Sequence, residues 1–281
     1  LLVNMQPSGD YLGESFYKAG GIPAVMNELN KNNLIEKNAI TVTGKTIEEN
    51  IKNLNIHDKK VISNFNNPIK KDAGFLVLRS NFFETAIMKI SVISEEFKKR
   101  YLNNPNHPNY FESKAIVFDG PEEYHKKIND PNLGIDENCI LIMRGCGPIG
   151  YPGSAEVVNM QPPDYLLKKG ITSLPCLGDG RQSGTSESPS ILNVSPEAAV
   201  GGLIGIIQNN DIIKVDLNKK RVDLVLNEKI IQDRQSKNKY NFPKNQTPWQ
   251  EISRKFTGQL SEGACLELED SYINISDEKN F

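Results

Sequence analysis

The sequence predicts a mixed α/β protein whose second part is rich in β-strands. Three observations carry this prediction: residues 1–54 have mainly helical patterns, short apolar runs alternate with helical stretches from Gly74 onward, and two of these runs lead into glycine-rich segments. Residues 53–71, rich in Asn, Lys and Asp, are the best linker candidate. The 281 residues are enough for one large or two modest domains.

The elements of the first part are predicted from local signals. A helix at residues 10–18 ends before Gly20-Gly21, and Pro23 lies in the first turn of a second helix at residues 24–30. A β-branched run predicts a short strand at residues 39–43. Thr46 and Glu49 have the spacing of a capping box, which begins a third helix.

In the second part, apolar runs predict strands. A capping residue or a proline followed by acidic residues predicts the start of a helix. The predicted helices cover residues 94–102 and 121–128, and the predicted strands cover residues 75–78, 115–118, 139–143 and 171–176. Ser195-Pro196-Glu197 has the pattern of a helix start. Residues 211–217 and 221–226 alternate around a polar turn, as the two strands of a hairpin do.

The composition argues against two classes of function. Lys and Arg number 33 against 35 Asp and Glu, which gives a formal net charge of −2 and no basic stripe for nucleic acid. The mean hydropathy is −0.45, and no apolar run approaches the roughly 20 residues of a membrane-spanning helix. We therefore expect neither nucleic acid nor membrane as a partner.

The cysteines and the start of the chain add two expectations. No C-x-x-C pair or zinc-ligand spacing occurs, which indicates reduced thiols in a cytoplasmic protein. The four residues are Cys139, Cys146, Cys176 and Cys265. The chain opens on Leu1-Leu2-Val3-Asn4, without an initiator Met or a signal-peptide pattern, so we expect a fragment of a longer protein.

The first glycine-rich segment, residues 144–156, follows the predicted strand at 139–143. Its four glycines and two prolines indicate a backbone that lies close to another group, and Glu156 comes where a helix is expected to begin. A plain strand-to-helix connection with a solvent-facing Glu is the alternative.

The second glycine-rich segment, residues 178–190, follows the predicted strand that ends at Cys176. It lacks the Gly-Lys-Ser/Thr ending of a P-loop, and Ser183 stands in a G-x-x-S-G pattern rather than in a nucleophile elbow. All three histidines, His57, His107 and His125, precede Ser183, which disfavours a serine hydrolase. The alternative is a Ser/Gly-rich surface turn.

A reactive Ser183 would need a group other than His to lower its pKa, and a divalent cation is the obvious choice. Glu156 would then be a suitable oxygen ligand, because hard cations prefer carboxylates. One carboxylate cannot hold Mg²⁺ alone, so further ligands would have to come from elsewhere.

Residues 144–160, 174–185 and 188–202 carry long motifs that closely resemble the dihydroxy-acid and phosphogluconate dehydratase family. Within it the chain is most similar to the sugar-acid dehydratases of the arabinonate and xylonate type, and the resemblance covers essentially the whole chain. It implies that residues 1–65 are the tail of a layered α/β, cluster-binding domain. Residues 66–281 would be the family's β-barrel-like, swivelling α/β domain.

The resemblance also implies an activity, the elimination of water from a sugar acid to give a 2-keto-3-deoxy acid. The implied cofactors are Mg²⁺ and an iron-sulfur cluster of the [2Fe-2S] type, and the implied assembly is a homo-oligomer. By position in the motifs, Ser183 resembles the catalytic base, Glu156 a Mg²⁺ ligand and Thr185 a substrate contact. The cluster cysteines and the other Mg²⁺ ligands, including a carbamylated lysine, are expected in an N-terminal half that this chain lacks.

One departure keeps alternatives open. Glu187 stands where sugar-acid dehydratases usually have Gly, and a carboxylate beside a carboxylate-binding site would repel substrate. A dihydroxy-acid dehydratase of branched-chain amino acid synthesis is the alternative within the family. A catalytically inert remnant is the alternative outside the enzymes.

Overall fold

The computed structural model describes residues 1–6, 9–71, 73–183, 189–242 and 246–267. The chain divides into two compact units, Leu1–Gly74 and Phe75–Phe281. The expected domain boundary at residue 65 stays a prediction. No helix in the described ranges is long and apolar enough to cross a bilayer.

The first unit is a small helical assembly with helices α1 (Gly13–Lys18), α2 (Gly21–Asn30) and α3 (Ile47–Ile51). It encloses a small apolar core, which contains Ala19, Ala24, Val61 and Ile62. The predicted capping box is confirmed, because the Thr46 side chain accepts a hydrogen bond from Glu49 N while Thr46 N donates to the Glu49 carboxylate at 2.8 Å. This box satisfies backbone donors that the start of α3 would otherwise leave unpaired.

The predicted strand at residues 39–43 is wrong. Ile40 makes only an isolated bridge to Thr46, and Thr41 N donates to Lys45 O at 2.9 Å to close a tight turn. Val42 is fully exposed. Among the described residues, no strand pairs with this β-branched run over more than that one bridge. Its intrinsic β propensity alone therefore does not produce a strand.

The second unit is built around one sheet of eight strands, which lie in the order β1-β2-β6-β5-β4-β3-β7-β8. The strands are β1 (Phe75–Leu78), β2 (Thr85–Lys89), β3 (Tyr110–Asp119), β4 (Cys139–Arg144), β5 (Cys176–Gly178), β6 (Ile191–Ser195), β7 (Ile212–Asp216) and β8 (Arg221–Leu224). The pairs β3-β4, β4-β5 and β5-β6 are parallel, and the other pairs are antiparallel.

The sheet is nearly closed into a barrel. Arg79, directly after β1, bridges Arg221 at the start of β8. Two backbone hydrogen bonds make the bridge, Arg79 N to Lys220 O at 3.0 Å and Val222 N to Arg79 O at 2.9 Å. The α/β fold class is therefore confirmed.

Short helices lie between the strands and after the last strand, β8. They are α4 (Glu95–Phe97), which continues as a π-helix (Lys98–Leu102), α5 (Pro121–Lys127), α6 (Asp164–Leu167), α7 (Glu228–Lys237) and α8 (Pro248–Phe256). Short 3₁₀ helices are also present, at Ile90–Val92, Pro131–Leu133, Ala198–Val200, Leu203–Ile206 and Leu260–Glu262. The helices predicted at 94–102 and 121–128 and the hairpin of β7 and β8 are confirmed.

Two predictions for the second unit are wrong. Of the strand expected at residues 171–176, only Cys176 lies in a strand, and the sequence patterns missed β2 and β6. The Ser195-Pro196-Glu197 pattern begins no α-helix, because β6 ends at Ser195 and only the 3₁₀ turn Ala198–Val200 follows. The Glu197 side chain is fully buried rather than placed at an exposed helix start.

Strand β4 positions the candidate site. Cys139–Met143 is buried throughout, with Ile140 and Ile142 in one apolar cluster and Leu141 and Met143 in another on the opposite face. A parallel strand covered on both faces gives an unbroken apolar run rather than an alternating one. The loop that leaves β4 therefore starts from a rigid part of the unit.

Candidate active site

The two glycine-rich segments meet at one edge of the sheet. β4 and β5 are parallel neighbours, with Met143 opposite Gly178, so both segments leave the sheet at the same end. They also touch directly, because Arg181 N donates to Ala155 O at 3.2 Å and Val158 N donates to Arg181 O at 3.2 Å. Loops beyond the carboxyl ends of parallel strands are where α/β proteins commonly bind ligands.

Glu156 lies at this contact, opposite Arg181. Arg181 Nη1 donates to Glu156 Oε1 at 2.6 Å, and Arg181 Nε donates to Ser154 O at 2.8 Å. The Glu156 side chain is half-exposed. No helix begins at Glu156, contrary to the prediction, because the segment stays extended and bridges Arg181 instead, and α6 starts only at Asp164.

Ser183 lies two residues after Arg181 and is half-buried. The structure thus brings the segments of Glu156 and Ser183 together, as the hypothesis of a shared site requires. Thr185 and Glu187 lie outside the described residues.

Asp179, directly after β5, binds the first glycine-rich loop from inside the protein. Its fully buried carboxylate accepts hydrogen bonds from Gly145 N at 2.9 Å, Cys146 N at 2.8 Å and Ala198 N at 2.9 Å. Burial raises the pKa of Asp179 to about 6, although the three N–H donors act in the opposite direction.

Glu197 binds the same loop a few residues further on. This carboxylate is also fully buried, and it accepts from Ile149 N at 3.0 Å, Gly150 N at 2.8 Å and Gln259 Nε2 at 3.0 Å. Its own backbone N–H donates to Gln259 Oε1 at 2.9 Å. Two buried carboxylates therefore hold four backbone amides of the loop.

The close approach of Glu197 explains a glycine of the loop. A Cβ added at Gly147 would lie 2.5 Å from Glu197 Oε2, which no side chain can tolerate. The prediction that the glycines of residues 144–156 bring the backbone close to another group is confirmed here, and the group is a buried carboxylate.

Two residues from the C-terminal part of the chain, Tyr240 and Arg254, bind carbonyl groups of the same loop. Tyr240 Oη donates to Gly145 O at 3.3 Å, and Arg254 Nε donates to Ile149 O at 2.9 Å. The Arg254 guanidinium also lies 4.8 Å from the centre of the Phe242 ring. Burial raises the pKa of Tyr240 to about 12, so its hydroxyl stays protonated and can donate.

A polar cleft of about 460 Å³ lies beside the loop. Arg144, Gly145, Tyr151 and Tyr240 are among the residues that line it, whereas Glu156, Arg181 and Ser183 are not. The Arg144 guanidinium is already bound to the Asp119 carboxylate and to two backbone carbonyls.

Two polar atoms flank the Gly180-Arg181 segment without a hydrogen-bond partner in the described part of the chain. They are the buried atoms Ser154 Oγ and Asn193 Oδ1. Arg181 Nε donates to Ser154 O, and Asn193 N donates to Gly180 O at 2.9 Å, so both residues adjoin the contact between the two loops. Buried polar atoms are rarely left unpaired in folded proteins, which marks this place as a candidate for binding a polar molecule.

The described residues do not form a complete metal site, since no group of three or more His, Cys, Asp or Glu could hold an ion. Glu156 fits as a single oxygen ligand for a hard cation. The three buried cysteines do not fit an iron-sulfur cluster, which needs thiolate ligands. Burial raises the pKa of the Cys139, Cys146 and Cys176 thiols, that of Cys176 to about 12.

Comparison with known proteins assigns the chain to a class of dehydratases. The C-terminal model of the dihydroxy-acid/6-phosphogluconate dehydratases matches residues 60–264, and the N-terminal model of the same family matches residues 1–50. The chain therefore belongs to the dihydroxy-acid/6-phosphogluconate dehydratase family.

Among its relatives, the chain is 54% identical to the D-xylonate dehydratase of Caulobacter vibrioides over 98% of its own length and 46% of that protein. It is 40% identical to the L-arabinonate dehydratase of Rhizobium leguminosarum over 79% of its own length and 37% of the relative. It is 36% identical to a dihydroxy-acid dehydratase of Clostridium botulinum over 94% of its own length and 46% of the relative. The chain spans about half the length of these relatives or less.

Proposed function

We propose that this chain, as part of a longer protein, dehydrates a sugar acid such as xylonate or arabinonate to a 2-keto-3-deoxy acid. The observation that carries the proposal is the 54% identity to a D-xylonate dehydratase over nearly the whole chain. The contact between the segments of Glu156 and Ser183 supports it, because the two residues proposed for the chemistry lie on adjoining loops.

In this proposal Ser183 is the base. Its alkoxide oxygen takes the proton from the carbon next to the substrate carboxylate, and the hydroxyl on the following carbon leaves as hydroxide. The proton now on Ser183 passes to this hydroxide, which gives water and restores the alkoxide. The resulting enol tautomerises to the keto acid. Thr185 would contact the substrate.

Glu156 would be one ligand of Mg²⁺, which, when bound, supplies positive charge that acidifies the α-proton. Arg181 orients this carboxylate through Oε1, and no hydrogen bond or ion pair of Glu156 Oε2 is found among the described contacts. The remaining Mg²⁺ ligands and the ligands of an iron-sulfur cluster are proposed to lie in the rest of the longer protein. The proposed assembly is a cytoplasmic homo-oligomer.

The test is turnover by the full-length protein of D-xylonate, L-arabinonate and a branched-chain 2,3-dihydroxy acid, with detection of the keto product. Preference for a sugar acid supports the proposal. Preference for the branched-chain acid would support a dihydroxy-acid dehydratase instead, an alternative favoured by the 36% identity to such an enzyme. No turnover of any of the three by a folded, cofactor-loaded protein would indicate an inert remnant.

A further inference from the structure

Two peptide groups of the loop at residues 145–150 are each held from both ends. In the peptide that joins Gly145 and Cys146, the N–H donates to Asp179 Oδ1 at 2.8 Å and the carbonyl accepts from Tyr240 Oη at 3.3 Å. In the peptide that joins Ile149 and Gly150, the N–H donates to Glu197 Oε2 at 2.8 Å and the carbonyl accepts from Arg254 Nε at 2.9 Å. In each peptide, a buried carboxylate thus accepts from the N–H group, and Tyr240 or Arg254 donates to the carbonyl group.

The second of these peptides lies between opposite charges. Glu197 is fully buried and makes no ion pair with any described residue, an arrangement that is costly for a carboxylate. Its hydrogen bonds lead through one peptide group to the Arg254 guanidinium, whose side chain is only 10% exposed. A peptide that donates to an anion and accepts from a cation is polarised, and this strengthens both hydrogen bonds.

The C-terminal segment makes a second connection to the same carboxylate. Gln259 Nε2 donates to Glu197 Oε1, and the Glu197 N–H donates back to Gln259 Oε1. From this fixed peptide the chain runs on through short turns, with Tyr151 N bound to Gly147 O at 2.8 Å and Ser154 N bound to Tyr151 O at 2.7 Å. Glu156 follows two residues later.

We infer that Glu197 and Arg254 are a pair of positioning residues that act on the active site through the Ile149–Gly150 peptide. Together they fix the loop that carries Glu156. The inference rests on the proposed function, because it takes Glu156 as part of the catalytic site. Neither side chain is expected to touch substrate.

The experiment uses Glu197→Gln, Arg254→Met and their double variant in the full-length protein. Glu197→Gln keeps the size of the side chain but removes an acceptor, and Arg254→Met removes the donor to Ile149 O. Each single variant should lower kcat on D-xylonate by about tenfold or more, because small shifts of catalytic groups have large effects on rate. The rates are measured under conditions in which circular dichroism shows that the variants are folded.

Non-additivity is the signature of a pair that acts through one peptide. The double variant should lose no more than about threefold beyond the worse single variant, since residues that act as a unit are not additive. Arg254→Lys, which keeps a positive donor, should recover much of the loss.

Two controls separate positioning from general destabilisation. Asp211→Asn weakens another buried carboxylate, the partner of Arg234, and Glu251→Gln removes a carboxylate that binds Arg254 from the other side. Both should leave kcat within about twofold of the wild type, because neither residue contacts the loop. Unchanged kcat in Glu197→Gln and Arg254→Met, or a double variant with the product of the two single losses, would overturn the inference.

A double-mutant cycle of unfolding in urea decides the pairing without any activity. The coupling should change the unfolding equilibrium constant by about threefold or more, and additive single effects would refute the pair. A wild type that turns over no sugar acid would refute the proposed function, whereas an absent coupling would refute only the inference drawn here.

Discussion

Arg181 Nη1 lies 2.6 Å from Glu156 Oε1, while the backbone of Arg181 is hydrogen-bonded to Ala155 and Val158. A guanidinium thus neutralises the carboxylate that we propose as a cation ligand. The pair is half-exposed, and such pairs contribute about 0–1 kcal/mol to stability. Its importance therefore lies in orienting the carboxylate rather than in folding.

Glu156→Gln should abolish most of the Mg²⁺-dependent turnover of the full-length protein and leave the unfolding free energy within about 1 kcal/mol. The amide keeps the size of the side chain but loses the charge that a hard cation prefers. Glu48→Gln is the matched control, because Glu48 is equally exposed and pairs with Lys37 in the first unit. A Mg²⁺ titration of activity that matches the wild type would show that Glu156 is no ligand.

Ser183→Ala should lower turnover by a factor on the order of 10² or more, the usual effect of losing a positioned acid-base group. Exchange of the substrate α-proton with solvent deuterium should disappear in parallel, with the melting temperature nearly unchanged. Ser236→Ala, at a hydroxyl that binds only the backbone of Asp233 among the described contacts, serves as the control. Wild-type exchange in the Ser183 variant would exclude Ser183 as the base.

Asp179 should make the stability of the chain depend on pH between about 4 and 6. Its pKa of about 6 in the folded protein exceeds the usual value of 3.8, so the folded state binds the proton more tightly than the unfolded state does. The contribution is fully present below about pH 4 and is lost as the pH rises to about 6, with a total on the order of 3 kcal/mol.

Urea unfolding at a series of pH values checks this dependence. Asp179→Asn should be less stable than the wild type, because it leaves a backbone donor without its acceptor, and it should lack this part of the pH slope. Asp211→Asn should retain the slope. A wild-type slope that survives in the Asp179 variant would mean that another group titrates.

Gly147→Ala should displace Glu197, because the new methyl group would lie 2.5 Å from Oε2. We expect a loss of about 1–3 kcal/mol in unfolding free energy, the usual result of overpacking, together with a fall in turnover. Gly13→Ala is the control, since a Cβ there meets nothing within 4 Å. A Gly147 variant as stable and active as the wild type would contradict the geometry of the Glu197 contact.

The sequence predicted those features that local patterns determine. The unbroken apolar run of β4 indicated a buried strand, and the Thr46 capping box depends on residues three apart. Strand β6 (Ile191–Ser195) was missed because the polar Asn193 interrupts its apolar residues. The backbone of Asn193 also has a φ of +55°, a left-handed conformation that a regular strand pattern does not predict.

The site was predicted only in part, since its geometry depends on contacts between distant residues. Glu156 and Ser183 could be selected from their motifs, but the partners of Glu197 are loop amides 47 and 48 residues away. Arg254 binds a carbonyl 105 residues away. From the sequence alone, an acidic residue after Ser-Pro indicates the start of a helix. That Glu197 instead accepts hydrogen bonds from loop amides could be known only once the fold had placed the loop beside it.

The occupied amides of the glycine-rich loop have a consequence for ligand recognition. Because Gly145, Cys146, Ile149 and Gly150 all direct their N–H groups at Asp179 or Glu197, these four donors cannot form an oxyanion hole or a phosphate-binding nest. A negatively charged ligand at this edge has to be bound by side chains, other backbone groups or a cation. If Mg²⁺ binds at Glu156 as we propose, chelating hydroxy-carboxylates should compete for the site far better than phosphate or sulfate does.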